Sequence, residues 1–488
     1  MEKDNLECFF AEYKNKYPKL KKGVYVHQWP DKSQVVGNMS GEQVRYVFEN
    51  HSMTSINDDG VSMLQKCDGT KTLQQVIDDL VAVYGNEEQV RKAVATFLYR
   101  AREHYGNIEF YPEQSEKVEL EITGTKEYYT PMHFSMEITT RCNLLCKHCY
   151  RSATNEIKEQ ELTYDEIIAI LSDMYDSGAR FVELTGGELF MHPDIKKILK
   201  YVSERFYFIG ILTNGVLIDD NMINYLDQYK EKFIWSISLD SYKEEYHNEF
   251  RGSKTAYRKT VHAIKTLIEH GHNVRVSMTV TQDNIDDVEK SIEFARNKLK
   301  ATWFGYNYIM PYGRGSELKW TMDSKDLEKR MNKITEYSEL YPQFLNVFGK
   351  DVMQKIIDSE RNCGSGWRTV CISSSGVVRP CVIMDEDYIK LGNLKTEKIY
   401  DIMKKPIVQK LHDLKWPLVE DCGHCQNKEF CMFCPYRAFI TNNERLSQGL
   451  DLCKWAKNNG IEEFVDFNPD NVGKIDYCLF KNKCSIGD

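Results

Sequence analysis

Between residues 132 and 310 one pattern repeats along the chain: a short apolar run, then an amphipathic stretch of helical period. The runs are "HFSMEIT", "RFVELTGG", "FYFIGILTNG", "FIWSISLD", "VRVSMTV" and "WFGYNYIM". Short apolar runs bounded by turn residues read as buried strands. Between them, Thr163 and Glu166 form a capping box ahead of a helix with the face Ile167, Ile168, Leu171 and Met174. Pro193 opens another, with Ile195, Ile198, Leu199 and Val202 on one side. Strand–helix alternation predicts a parallel sheet with helices outside. Six units fall short of the eight that close a barrel, so the expectation is an open, partial (β/α)6 barrel. Its chemistry should sit at the C-terminal ends of the strands.

The flanks follow other rules. Residues 23–51 alternate in "GVYVHQW", "QVVGNM" and "VRYVFENH", which predicts two or three strands. "TLQQ" (Thr72 to Gln75) is a capping box, followed by the face Leu73, Val76, Ile77, Leu80, Val81 and Tyr84. "NEEQVRKAVATFLYRAREHY" predicts a further helix and "NIEFYP" a closing strand, so residues 1–112 read as a small α+β domain. Residues 113–131 are charged, contain a Gly and close on a Pro, and read as a linker. The barrel is assigned 132–345. Beyond it, in 346–488, periodicity weakens and cysteines dominate; "TVCISSSGVVRPC" predicts a hairpin turning at Ser375 and Gly376.

Bulk properties narrow the function. A chain of 488 residues has room for about three domains. Net charge of -9 and a pI near 5.8 argue against a nucleic-acid partner. No basic segment followed by an apolar run opens the chain, and no stretch of about 18 apolar residues predicts a membrane span. Fifteen cysteines without a secretion signal point to a reducing, cytoplasmic setting and to metal ligation rather than disulfides. They are grouped: Cys142, Cys146 and Cys149; Cys363, Cys371 and Cys381; Cys422, Cys425, Cys431 and Cys434; then Cys453. Cys8, Cys67, Cys478 and Cys484 stand apart; Cys67 reads as a core residue.

The first group has C-x3-C-x2-C spacing. An iron–sulfur cube usually takes four thiolates. Three leave one iron open to a small molecule, the logic by which catalytic zinc keeps a free position. The competing reading is a zinc knuckle with His148 or a distant residue as fourth ligand.

After a strand and before an aromatic, Cys142, Cys146, Cys149 and Tyr150 resemble the radical S-adenosylmethionine (SAM) enzymes. "TGGE" (Thr185 to Glu188), after the second predicted strand, strengthens the resemblance. In that superfamily the open iron takes SAM, whose reductive cleavage gives a 5′-deoxyadenosyl radical. The resemblance implies Gly186, Gly187 and Glu188 at the methionyl amino group. It also implies Asn214 of "LTNG", Ser238 at the ribose, Arg251 at the SAM carboxylate and Val280 of "MTV" against the adenine.

The second cysteine field resembles the SPASM extension of some radical SAM enzymes. By that family's interleaved ligation, Cys422, Cys425, Cys431 and Cys453 would hold one auxiliary 4Fe–4S cluster. Cys363, Cys371, Cys381 and Cys434 would hold the other, making three clusters in all. Cys431 to Cys434 is one residue shorter than the family spacing. Cys371 is not demanded by the pattern; without it that cluster would have an open iron for a substrate thiolate. Paired zinc ribbons are the competing reading of the C-x2-C spacings.

"INDDGVSMLQKCDGTKTLQQVIDDL" and the helix after it resemble the recognition element that binds the leader of ribosomally made, later modified peptides, a winged-helix-like domain. It captures the leader as an added strand. From about residue 23 to 465 the chain resembles the subtilosin-type thioether maturases. The motifs include "VHQWP", "CDGTKT", "RCNLLCKHCY", "LTGGE", "SISLDS", "FRG", "GRG", "CGSGW", "VRPC" and "CKWAKN". That resemblance implies joining a peptide cysteine sulfur to a carbon of the same peptide, as in sactipeptides and ranthipeptides. It also implies a precursor peptide and a reductant such as flavodoxin or ferredoxin as partners. "CSIGD" (Cys484 to Asp488) has a Cys-x3-Asp spacing seen in some ranthipeptide cores. Rivals are a SPASM enzyme making carbon–carbon links or epimerising residues, and a non-catalytic metal scaffold. A sulfatase-maturating enzyme fits less well, since Val382 follows Cys381 where that family has Asp.

Overall fold

The computed structural model describes residues 3–37, 53–157, 160–310, 313–318, 324–345, 362–384, 386, 389–423, 425, 431 and 433–461. The predicted strand in "VRYVFENH", with Cys478, Cys484 and the "CSIGD" end, lies outside them. The chain divides into two compact units, at Thr130 and Pro131.

The first unit has two small sheets and four helices among its described residues. Strand β1 (Tyr17–Leu20) pairs antiparallel with β5 (Ile108–Tyr111). β2 (Tyr25–Gln28), β3 (Ser33–Val36), β4 (Met53–Ile56) and β6 (Glu121–Gly124) form the other, in the order β4-β3-β2-β6. Helices Lys3–Tyr13, Asp58–Gln65, Leu73–Tyr84 and Glu87–Glu103 supply the rest. Phe9, Phe10, Leu73, Val76, Ile77, Leu98 and Ile108 share one core. The capping box is present at Thr72 and Gln75. Tyr84, placed on the buried face by periodicity, is 65 % exposed, because the apolar face ends with the last turn. The stretch read as a linker is largely part of this unit: β6 runs parallel to β2. His27 Nδ1 meets Thr123 Oγ1 at 2.9 Å, and Trp29 Nε1 donates to Thr130 O at 2.7 Å.

The second unit is built on one nine-stranded sheet. β7 (His133–Glu137), β8 (Phe181–Thr185), β9 (Phe208–Thr213), β10 (Phe233–Ser238), β11 (Asn273–Val280) and β12 (Trp303–Tyr308) are parallel and in sequential order, the six predicted strands. Thr163 and Glu166 cap helix Tyr164–Asp176 reciprocally; Ile170 rather than Ile168 completes its buried face. Helix Ile195–Arg205 begins just after Pro193 and buries Ile195, Ile198, Leu199 and Val202.

β7 also has a neighbour on its other side, which the sequence did not signal. The cysteine-rich hairpin, β13 (Thr369–Ile372) and β14 (Val377–Arg379), lies beside it, with β13 parallel to β7 and β14 antiparallel to β13. Gly376 turns the hairpin at φ +86°. β15 (Gly392–Asn393) ends the sheet. The partial barrel and the cysteine-rich region therefore share one sheet.

Strand alternation gives that sheet two unlike faces. Phe134, Met136, Val182, Leu184, Ile209, Ile211, Trp235, Val274, Val276 and Phe304 are buried, on the face the helices cover. The inner face carries Ser135 and Glu137, then Glu183, Gly210, Ser236, Arg275, Ser277 and Gly305, and on the hairpin Cys371 opposite Arg379.

A three-thiolate loop and two further cysteine groups

The loop from Thr139 to Thr154 leaves the C-terminal end of β7, and three glycine-bearing turns clamp it. The first is "TGGE". Gly187 N–H donates to Thr139 O and Glu188 N–H to Arg141 O, both at 2.7 Å. Gly186 has φ +151°, and a Cβ there would lie 2.5 Å from Thr139 O. A Cβ on Gly187 would overlap the Arg141 carbonyl, so these glycines are needed for backbone approach to the loop itself. The second is "FRG": Lys147 N–H donates to Phe250 O at 2.9 Å, and a Cβ on Gly252 would fall 2.8 Å from Leu145 O. The third is "GRG". Arg314 donates from Nε to Cys146 O (2.8 Å), from Nη1 to Ala153 O (3.0 Å) and from its backbone N–H to Cys149 O (3.0 Å). Glu161 fixes the loop's entry, its Oε1 accepting from both Thr139 and Thr140 hydroxyls and from Thr140 N–H.

Within this clamp Cys142, Cys146 and Cys149 pack together with Ala153 and Ala256. Burial pushes the Cys142 thiol up to about 12, so coordination must displace a tightly held proton. Asn214 reaches the loop through Nδ2, to Asn143 Oδ1 at 2.9 Å and towards Cys142 Sγ at 3.9 Å. Glu188 is buried and accepts from Thr213 Oγ1 (2.7 Å) and Asn214 N–H (2.8 Å). Its carboxylate thus ties the ends of β8 and β9 together. Arg251 lies inward, Nε on Asp240 Oδ2 at 2.5 Å and Nη1 3.7 Å from Cys146 Sγ. Despite burial, the Arg251 cation holds the Asp240 carboxyl well below the usual range. Ser238 and Val280 end β10 and β11 at the same end of the sheet. His148 stacks on Phe250 with ring centroids 4.4 Å apart, and burial drops its pKa to about 3, so it is neutral.

Tyr150 turns the other way, towards the hairpin. Its hydroxyl lies in the field of Glu137, Cys371, Arg151 and Arg379, and enclosure of that end of the ring, with the Glu137 charge, pushes its pKa up although the residue as a whole is 40 % exposed. Glu137 Oε1 and Arg379 Nη2 pair at 2.8 Å, both side chains almost fully buried, across the junction between β7 and the hairpin. Arg379 Nη2 also donates to Cys371 Sγ at 3.3 Å.

The remaining cysteines sort into two groups. Cys363, Cys381 and Cys434 act on one another, with the buried ring of Tyr436 among them. Cys371 borders this group at Cys381, but Glu137 and Arg379 are stronger influences on it. Cys422, Cys425, Cys431 and Cys453 line one cavity of about 220 Å³. Asn442 Nδ2 donates to Cys453 Sγ at 3.2 Å, and Thr441 Oγ1 lies 3.2 Å from Cys431 Sγ. The resemblance implied the same split for these seven, with Cys371 as the fourth member of the first group. Among the described residues, no three His, Cys, Asp or Glu side chains converge as one metal ion would require. All-thiolate donor sets are those that iron–sulfur cubes take.

Three family descriptions match the chain: the radical SAM superfamily over 136–295, an iron–sulfur cluster-binding SPASM domain over 363–426, and coenzyme PQQ synthesis protein D over 42–105. The antilisterial bacteriocin subtilosin biosynthesis protein AlbA of Bacillus subtilis is 30 % identical over 461 residues, covering 92 % of this chain and 98 % of that protein. The chain belongs to the AlbA family of radical SAM enzymes. The sporulation killing factor maturation protein SkfB of Bacillus subtilis is 25 % identical over 58 % of this chain and 67 % of its own. In fold, the chain resembles Streptococcus suis SuiB bound to its precursor peptide SuiA, with a TM-score of 0.58 at 14 % identity, covering 87 % of this chain and 97 % of that one. As a radical SAM enzyme with a SPASM domain it uses a SAM-binding 4Fe–4S cluster and auxiliary clusters. Among the described residues no helix is long and apolar enough to cross a membrane.

Glu161, Asn143, Asp240, Glu137, Arg379, Tyr436 and Asn442 were not singled out from sequence. Most of them work by reaching a distant segment, as does Arg314, which the sequence showed only as part of the "GRG" motif.

Proposed function

We propose that this enzyme forms thioether bridges between a cysteine sulfur and a carbon of another residue in one precursor peptide. Forming the bond removes a proton from sulfur, a hydrogen atom from carbon and one further electron, two protons and two electrons in all. Cys142, Cys146 and Cys149 would hold the SAM-binding cluster; Gly186, Gly187, Glu188, Asn214, Ser238, Arg251 and Val280 would surround SAM, whereas Tyr150, expected there from the resemblance, faces the hairpin instead. Cys422, Cys425, Cys431 and Cys453 would hold the outer auxiliary cluster. Cys363, Cys381 and Cys434 would hold the inner one, with a corner left for the substrate thiolate beside Cys371. Bound, these groups supply hydrogen-atom abstraction from carbon and uptake of an electron. The protein places the peptide between them and excludes water. The first unit would take the leader, and a flavodoxin or ferredoxin in a reducing cytoplasm would supply electrons.

The observation that carries this reading is the shared sheet. The three-thiolate loop leaves the end of β7, and the hairpin bearing Cys371 and leading to Cys381 lies beside that strand. One inner face thus runs from the first cysteine group towards another, which suits a reaction needing a radical on one side and a thiolate on the other.

The test is co-expression with a cysteine-containing precursor peptide, under reductant throughout. The expected product has lost two hydrogens per bridge and no longer takes up iodoacetamide at the bridged cysteines. The same loss with cysteines still alkylated would replace thioether formation by carbon–carbon linkage. Deuterium uptake from D2O without mass loss would replace it by epimerisation.

A further inference from the structure

We propose that Glu183 and Arg275 form a dipolar subsite on the inner face of the barrel that binds a backbone amide of the peptide being modified. The inference rests on the peptide-maturase reading and adds a recognition element to it. The sheet register sets both residues on the polar face: Glu183 pairs with Ser135 and Gly210, and Arg275 with Ser236 and Trp303.

Each long side chain lies over a glycine. A Cβ at Gly210 would stand 2.7 Å from Glu183 Cγ, and one at Gly305 would overlap the Arg275 guanidinium. Those two strand positions thus give up a side chain and leave room for a charged one to lie along the wall. Ser135 Oγ donates to Glu183 Oε2 at 2.7 Å, and His133 Nε2 lies 4.0 Å from that carboxylate, its pKa lowered by burial so that the ring is neutral. Among the described residues no carboxylate reaches Arg275 within ion-pair distance.

Both groups are enclosed by the sheet yet open to solvent, the Glu183 side chain at 36 %. Opposite charges on one inner face that sense each other without pairing suit a ligand carrying both a donor and an acceptor. A lone anion is repelled by Glu183 and a lone cation by Arg275. A peptide amide offers N–H to the first and C=O to the second. Glu183 lies two residues before Thr185, about 7 Å along the strand from the "TGGE" turn, within reach of a peptide held at the cysteine loop.

The experiment uses the full-length, cluster-loaded enzyme and the precursor peptide from the mass assay. Glu183→Gln and Arg275→Gln keep size and remove charge. Each is expected to raise the peptide KM about tenfold or more, as loss of a charge-assisted hydrogen bond does. Iron content and peptide-independent SAM cleavage should not change. Unchanged KM in both variants would overturn the proposal. A second arm leaves the protein untouched: backbone esters, which replace one N–H by oxygen, are scanned through the crosslinked segment. One position should raise KM on the wild type and have little further effect on Glu183→Gln. A flat scan, or an equal ester penalty on that variant, would overturn the subsite even if the variants folded poorly. KM is read from any mass change or from peptide-stimulated SAM cleavage. A failure of the thioether assignment would appear instead in the product, with every enzyme form.

Discussion

Arg314 holds three backbone carbonyls of one loop, at Cys146, Cys149 and Ala153. Nothing in its own neighbourhood of the chain explains a half-buried arginine there; the loop it serves lies more than 160 residues earlier. Arg314→Gln is expected to lose about four irons per chain, the content of one cluster. The electron paramagnetic signal that responds to SAM should go with them while the auxiliary signals persist. Full iron content with an unshifted SAM-responsive signal would show that the loop holds its shape without the guanidinium. Cys371 offers the opposite case. Its thiol accepts from Arg379, and Glu137 acts on it more strongly than Cys381 does. Cys371→Ala should therefore keep its iron, whereas Cys381→Ala should lose about four irons. Iron and sulfide analysis of the two variants side by side decides it. At this scale the sequence was most informative where spacing carries chemistry. The first cysteine triplet needed only residue type and interval, whereas the interleaved auxiliary grouping came from the family resemblance those intervals carry. The groups that steady them, such as Glu161 on Thr139 and Thr140 or Asn442 on Cys453, have no local signature.

Elements were legible wherever a period or a cap decides them. Thr72 with Gln75 and Thr163 with Glu166 close reciprocal caps, and all six parallel strands lie where the apolar runs stand. Thr72→Ala should cost about 1 kcal/mol of the first unit's stability, read from chemical denaturation. Pairing between distant strands was not legible, because β13 carries no mark that its partner is β7. The junction is fastened by the Glu137–Arg379 pair, buried on both sides. Removing one member strands the other charge, so Glu137→Ala should destabilise the second unit by about 3–5 kcal/mol. A thermal scan of the cluster-loaded protein, followed by loss of the iron–sulfur absorption, would detect this. An unchanged midpoint would mean that water or Tyr150 compensates Arg379.

For the molecule as a whole, the first boundary was misplaced because charge and a terminal proline make 113–131 look like a tether. A four-residue strand with one buried face is invisible to composition. Yet β6 pairs residue for residue with β2, from Tyr25 with Glu121 to Gln28 with Gly124. Gly124, at φ +71°, admits the Gln28 carbonyl where a side chain would not fit. His27 and Trp29 are fully buried, and both use atoms from 123–130 as partners. A fragment of residues 1–112 therefore lacks a strand of the sheet and the carbonyl that takes the indole N–H. A fragment of residues 1–130 keeps both. Trp29 is the single tryptophan in either, so its emission reports this seam alone. The longer fragment should show blue-shifted emission, resistance to acrylamide and one cooperative transition. The shorter should show red-shifted emission and a lower or broader transition, since an unpaired sheet edge and an exposed indole both favour opening. Identical emission and melting in the two fragments would return 113–131 to the role of a tether and leave the 1–112 boundary standing.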